Sequence, residues 1–553
     1  MGQPAARRPG RPGRGGRAPL SLPRQAAPHR DARLAPAAGP AHHRLPRRVS
    51  ARGGHTPARR PPHPRAPAPT KETPMPKRAA RTHHPRGTAP VVALAALALL
   101  AAGCVPGTDG SAAGGGTAGG ATAIPDPAKA GKVTLTVWDQ EIRGGTNAEV
   151  EQLNKEFQRA YPNVRVKRVA RGFTDLKATL KLAVSGNNPP DVVQANQGYP
   201  DMVAFVRAGL LAPLDNYAGI YDWNTRYPTT LLNHNRVSAD GRRFGTGRLY
   251  GISQTGEFVG LYYNKDLLAK SGLRPPRTWG EFTDQLARLR SDGRLPIQLG
   301  NLDKYPAIHT FGVLQSQAGA APVRDLVFGR AGRFDTRQTK DAAATLADWR
   351  RRGYLPKGAN GLGYDDAAKK FASGDGAYLI TGTWQLADLK KAMGDNLGLM
   401  PPPPATAGGP PVSTGGQGLA WSITSRSKHP EVAAAYLDFL TSEHAADVMT
   451  RHGVLPAVPG KAAARVPRTS VDGQMLDTWR RLNDADALVP YLDYATPTFY
   501  DTLSEGLQGV IAGAQSPERF AATAQRDYAA FMAEQREGDR DAAAGPGPQR
   551  DGR

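Results

Sequence analysis

The chain has 553 residues, with 72 Lys and Arg against 48 Asp and Glu, a formal net charge of +24, and one cysteine. A single thiol excludes an intrachain disulfide framework and argues against a thiolate metal site. The charge is local: residues 1–103 hold 20 basic and 2 acidic residues, +18 of the total, so the other 450 residues carry only +6. The basic character thus belongs to the leader and is no nucleic-acid footprint of a folded body.

Residues 1–74 are almost wholly Arg, Pro, Gly, Ala and His, too poor in apolar surface for a core and expected to be disordered. Met75 then opens the basic stretch "MPKRAARTHHPRGTAP", and "VVALAALALLAAGC" follows from Val91 to Cys104. Its twelve apolar residues are too few for a permanent membrane span, which needs roughly twenty. Basic, apolar, then small is the layout of a secretory signal. With Cys next, the segment resembles the lipobox of bacterial lipoproteins. In that family the thiol is alkylated with diacylglycerol and the cut falls before it, here between Gly103 and Cys104. Ala101 stands where the pattern usually has Leu, and Leu100 lies one place earlier. Residues 75–103 are therefore expected to be a lipoprotein signal peptide with translation starting at Met75, and Cys104 the lipidated residue. An ordinary secretory signal and a long cytoplasmic leader are the competing readings. Residues 104–130, rich in Gly, Ala, Ser and Thr, are expected to form a flexible tether, with a reach of about 30 Å. The tail, 536–553, is also expected to be disordered.

Residues 131–535 are expected to fold. "VTLTVWD" (Val133–Asp139) reads as a strand. "TNAEVEQLNKEFQRAYP" follows as a helix, with Thr146 and Glu149 at capping-box spacing and Val150, Leu153, Phe157 and Tyr161 on one face. The strand "VRVKRV", a helix over Phe173–Val184, the turn "SGNNPP" and the strand "DVVQAN" complete a βαβαβ series. That order implies a mostly parallel sheet, with ligands bound beyond the carboxyl ends of its strands. "EFVGLYYN" and "GAYLITG" read as further strands. "DAAATLADWRRRG" and "PEVAAAYLDFLTSEHAADVMTRHG" read as helices, the latter stopping at Gly453. Asp365 and Asp366 suit a helix N-terminus. "GGGTAGG" lacks the preceding strand of a phosphate loop. No metal-ligand motif and no cofactor fingerprint occurs, so neither a metal nor a cofactor is expected.

Taken in order, "VTLTVWD", "FQRAYPNVRV", "NPPDVVQAN", "GLLAPLD", "EFVGLYYNKDLLAKSGLRPPRTWGEF", "FASGDGAYLITGTWQL" and "GLAWSITSRSKHPEVAAAYLDFLTSEHAADVMTRHGVLPA" resemble the family 1 extracellular solute-binding proteins of bacterial ABC importers, the group that includes maltose-binding protein. The resemblance covers essentially all of 131–535. It implies an α/β, two-lobe periplasmic-binding-protein-like fold of type II, joined by three chain crossings that hinge around a ligand. The crossings are expected near Gly256–Phe258, Gly415–Gly418 and Leu455–Pro459. Lobe one would be 131–256 plus 418–457, and lobe two 258–416 plus 458–535.

A sugar offers hydroxyls that need donors and acceptors, and C–H faces that pack on rings. Candidates of those types are Trp138 and Asp139 at the end of the first strand, and Tyr305 and His309 in a polar-aromatic loop with Lys304. The resemblance adds Asn196, Gln197 and Tyr199 at a strand mouth, Glu257 at the first crossing, Trp384 after a strand, Gly416 and Gln417 at the second crossing, and Asp493 with Tyr494 in "YLDYATPTFYDTL". A buried Trp, a capping Asp, a surface salt bridge or an aromatic core segment are the plainer alternatives. No stretch nominates catalytic residues. The expected function is a monomeric, lipid-anchored binding component on the extracellular face of the cytoplasmic membrane. It would pass a sugar, an oligosaccharide by expectation, to ABC permease subunits, with no nucleic acid as partner. The alternatives are a secreted carbohydrate-active enzyme, a binding protein for a polyamine or glycerophosphodiester, and a sensory or adhesive lipoprotein.

Overall fold

A computed structural model describes residues 124–544. The leader, the signal segment and Cys104 lie outside them, as do residues 545–553.

The first half of the chain builds one open sheet. In β1 (Val133–Asp139) alternate residues Val133, Leu135 and Val137 are buried, as a half-covered strand requires. The helix Gly144–Ala160 lays Leu153 and Phe157 against that face, and its Val150 is also buried. Its N-cap is Arg143, one turn earlier than the capping-box reading placed it: the Thr146 hydroxyl donates back to the Arg143 carbonyl at 3.3 Å. Glu149, the expected partner in that box, is fully buried and accepts a hydrogen bond from Gln254 at 2.5 Å. β2 (Val164–Ala170), the helix Phe173–Ser185 and β3 (Val192–Ala195) follow as expected.

The chain then crosses to a second body. Its strands are β4 (Val259–Asn264), β5 (Ile297–Gln298), β6 (Tyr378–Gly382) and β7 (Leu397–Met400), with helices that include Tyr305–Ser316, Tyr364–Ala372 and Phe499–Ala512. β8 (Ala420–Ile423) returns to the first sheet. The two four-stranded sheets have the orders β8-β3-β1-β2 and β5-β6-β4-β7. In the first, β1 pairs parallel with β2 and β3, and β8 closes the edge antiparallel to β3. In the second, β4 is antiparallel to both β6 and β7 and only the short β5–β6 pair is parallel. The expectation of a mostly parallel sheet therefore holds for the sheet built by the βαβαβ segment, where long crossovers exist, and not for the second sheet.

The protein thus has the two-lobe α/β form of a type II binding protein. The lobes are stitched by segments lying side by side. Thr255 bridges Pro456 and Phe258 bridges Gly415, while Gly416 N–H donates to the Glu257 carbonyl at 2.8 Å and Gly256 N–H to the Leu455 carbonyl at 2.9 Å. Gly415 has φ of +150°, and a Cβ there would lie 2.2 Å from the Glu257 carbonyl oxygen. Only glycine fits this close approach of two crossings.

Three boundaries differ from expectation. The long helix from Pro430 is two helices, Pro430–Leu440 and Glu443–Arg451, because Ser442 caps the second by accepting from Ala445 N–H at 3.1 Å. The tail from 536 is helical as far as Ala544, continuing a helix that begins at Pro517. The last residues of the expected tether are docked: Pro127–Lys129 forms a 3₁₀ turn, and Asn163 Nδ2 donates to the carbonyls of Pro127 and Gly131 at 2.8 and 2.7 Å.

Candidate functional site

The two lobes face each other across a cleft lined by residues of both. Lobe one supplies Gln140, Glu141 and Arg143 from the turn after β1, Phe173 from the start of the helix after β2, and Asn196 from the end of β3. These are the carboxyl ends of parallel strands, where side chains leave the sheet free to meet a ligand. Glu257 and Leu419 come from the crossings. Lobe two supplies Tyr305, His309, Trp384, Tyr491, Asp493, Tyr494 and Tyr500.

Aromatic rings make most of the lobe-two wall. The His309 imidazole sits among Tyr305, Trp384 and Tyr491, with ring centroids 5.5, 5.3 and 5.4 Å away. Its Nδ1 is buried with no hydrogen-bond partner. Burial lowers its pKa to about 3, so the ring is neutral. The Trp384 Nε1–H donates to the Tyr364 hydroxyl at 2.5 Å, which fixes the indole.

Three carboxyl groups also line the cleft. Glu141 accepts from Gln194 Nε2 at 3.0 Å, and burial raises its pKa. Glu257 accepts from the Tyr491 hydroxyl at 2.9 Å, and burial pushes it up to about 8. Asp493 is 7% exposed and raised to about 6 by burial. Among the described residues no other residue donates a hydrogen bond to its carboxylate. Among the described residues, Arg143 is the only Lys or Arg lining the cleft. It is engaged by Asp365 Oδ1, 3.1 Å from Nη2, and lies 5.2 Å over the Tyr364 ring.

Several contacts tie the lobes together around the cleft. Besides Arg143 and Asp365, the Phe173 and Tyr305 rings meet edge-on at 5.5 Å and Lys177 Nζ lies 4.7 Å over Tyr500. The Tyr494 hydroxyl is 3.1 Å from Asn196 Oδ1 and 3.2 Å from Gln197 Oε1.

Of the residues nominated from sequence, the structure brings Asn196, Glu257, Tyr305, His309, Trp384, Asp493 and Tyr494 to this cleft. Tyr305 and His309 lie on the helix Tyr305–Ser316, not in a loop; Lys304, with φ of +68°, turns the chain into it. The others lie elsewhere. Trp138 stacks under the Arg171 guanidinium at 4.6 Å. Asp139 is fully buried and clamped by Arg168 through two bonds of 2.7 Å, so it has no free face. Gln197 is held behind the wall by the Gly418 carbonyl at 2.9 Å. Tyr199 packs on Phe531, with centroids 4.6 Å apart. Gly416 lines a separate pocket with His234, Arg324 and Asp486, and Gln417 donates to the Leu231 carbonyl at 2.7 Å.

Sequence reasoning missed Gln140, Glu141, Arg143, Phe173, Tyr491 and Tyr500. The first three follow "WD" directly, so carrying the strand-end rule one to four residues further would have found them. Tyr491 and Tyr500 sit in the very segment that nominated Asp493. Among the described residues no group of His, Cys, Asp and Glu could hold a metal ion, and no helix is long and apolar enough to cross a membrane.

The chain is 23% identical over 323 residues to the multiple sugar-binding protein of Streptococcus mutans, covering 57% of this chain and 73% of that one. It is 24% identical over 344 residues to the sn-glycerol-3-phosphate-binding periplasmic protein of Salmonella typhimurium, covering 58% and 74%. A solved structure from work on xylan utilization by Caldanaerobius polysaccharolyticus matches with a TM-score of 0.62 at 22% identity, covering 71% of this chain and 99% of that one. The family model for bacterial extracellular solute-binding proteins matches residues 142–447, more than half of the chain. The chain belongs to that family, the solute-binding components of ABC importers.

Proposed function

We propose that the protein captures a saccharide between its lobes and hands it unaltered to a membrane permease. The observation that carries this reading is the wall of Trp384, Tyr305, Tyr491 and Tyr500 facing Asn196, Gln140 and the carboxyl groups. Rings suit the C–H faces of a pyranose, and the amides and acids suit its hydroxyls. The neutral His309 and the protonated form that Glu257 favours at pH 7 supply an acceptor and a donor without a buried charge. An anionic solute such as a glycerol phosphate fits less well: the wall's one guanidinium is already paired, and carboxyl groups surround it.

The family resemblance favours an oligosaccharide, and the signal-like segment before Cys104 supports attachment by a lipid to the outer face of the cytoplasmic membrane. A carbohydrate-active enzyme is the second reading, since Glu141 and Glu257 are within electrostatic reach of each other. The test is calorimetric titration with a panel of mono- and oligosaccharides, with product analysis of each mixture. Trp384→Ala is expected to weaken the best ligand at least tenfold, about 1.4 kcal/mol, with cooperative unfolding retained. Unchanged affinity would remove Trp384 from the site, and a hydrolysed sugar would replace binding protein by enzyme. Mass spectrometry of the membrane-extracted N-terminus tests the anchor: any mature start other than a lipidated Cys104 refutes it.

A further inference from the structure

The charges around the cleft do not balance. Arg143 is neutralised by Asp365, and Lys177, the cation that acts on Asp493, is held by Asp201 at 2.5 Å and by the Tyr500 ring. That leaves Asp493 facing the cavity without an ion-pair partner of its own: the field of Lys177 reaches it, but that ammonium is committed to Asp201. Asp493 is more than nine-tenths buried, lines the cavity, and no neighbouring side chain donates to it. A buried carboxylate in that state is unfavourable unless a partner arrives. The His309 ring lines the same cavity, with its Nδ1 buried and unpartnered. The rings of Trp384, Tyr491 and Tyr500 present π faces, which attract cations as well as pyranose C–H groups.

We propose that the solute is an amino sugar, or an oligosaccharide containing one, whose protonated amine docks at Asp493 between the carboxyl groups and the aromatic wall. A neutral saccharide would satisfy the rings and offer Asp493 a hydroxyl, with no counter-charge. A simple polyamine would satisfy the carboxyls and leave the broad aromatic wall unused. The amine selects among saccharides, so the inference rests on the saccharide reading.

The experiment titrates the folded protein with a fully deacetylated glucosamine trimer, its N-acetylated counterpart, cellotriose, and spermidine as a sugar-free amine. The expected result is binding of the glucosamine trimer at least about tenfold tighter than either neutral trimer. Equal or tighter binding of a neutral trimer overturns the amine and leaves the saccharide reading standing. Binding of spermidine with no saccharide bound overturns both. Asp493→Asn, checked for cooperative unfolding, is expected to lose about tenfold for the glucosamine trimer and less than threefold for the neutral ones. Equal losses for both classes would assign Asp493 a general packing role and sink the inference. The comparison among ligands on the unmodified protein decides the matter even if that variant fails to fold.

Discussion

Glu257 shows how a single side chain on the cleft wall links fold stability to pH. Its carboxyl is held by the Tyr491 hydroxyl, and burial raises its pKa to about 8 from the ordinary 4.5. Between those values the folded protein keeps a proton that the unfolded chain has released, so stability falls as pH rises through that window and levels off above it. Asp493, raised to about 6, adds a contribution of the same sign at lower pH. Glu257→Gln is expected to flatten the pH dependence of melting temperature between pH 5 and 8 and to melt higher than the parent at pH 8. A parallel pH profile for the two proteins would show that Glu257 is ionised in the fold. None of this was legible in the sequence, where Glu257 was a position at a crossing. The Tyr491 hydroxyl that donates to it lies far along the chain, beyond the crossings.

At the scale of elements, the buried Asp139–Arg168 pair locks β1 to β2. Arg168 donates to both Asp139 oxygens at 2.7 Å, to Asn147 at 2.7 Å and to the Glu141 carbonyl at 2.6 Å. It therefore sets the turn that carries Glu141 and Arg143 to the cleft. Arg168→Leu is expected to lower unfolding stability by about 3–5 kcal/mol, because it leaves a carboxylate buried without its cation; urea unfolding measures this, and a loss under about 1 kcal/mol would mean the pair acts like an exposed one. The strands and helices of this lobe were readable because their periodicity is local: Leu135 and Val137 alternate, and Val150, Leu153 and Phe157 recur at helical spacing. The break at Ser442 was not read, since the apolar period runs on through Thr441 while the cap is a single hydroxyl. Asp139 was misjudged for a related reason. A strand-end acid looks alike in sequence whether it meets a solute or an arginine from the next strand.

At the scale of the molecule, the contacts that span the cleft set how readily it opens. Arg143→Ala removes both the Asp365 bond and the stacking on Tyr364. The ligand-free variant is expected to show a larger radius of gyration by small-angle X-ray scattering than the ligand-free parent, with the two converging once solute is added. Equal values without solute would mean that the remaining contacts hold the lobes unaided. A second consequence follows from the grip of Asn163 on Pro127 and Gly131. Both carbonyls lie at the roots of β1 and β2, the end of lobe one remote from the cleft, where Val133 N–H also donates to the Asn163 carbonyl at 2.9 Å. A leash drawn taut from the N-terminal side would load that corner alone. Were the chain anchored through Cys104 as proposed, traction would pass into the sheet of one jaw without prising it from the other, and the bite would be indifferent to the pull.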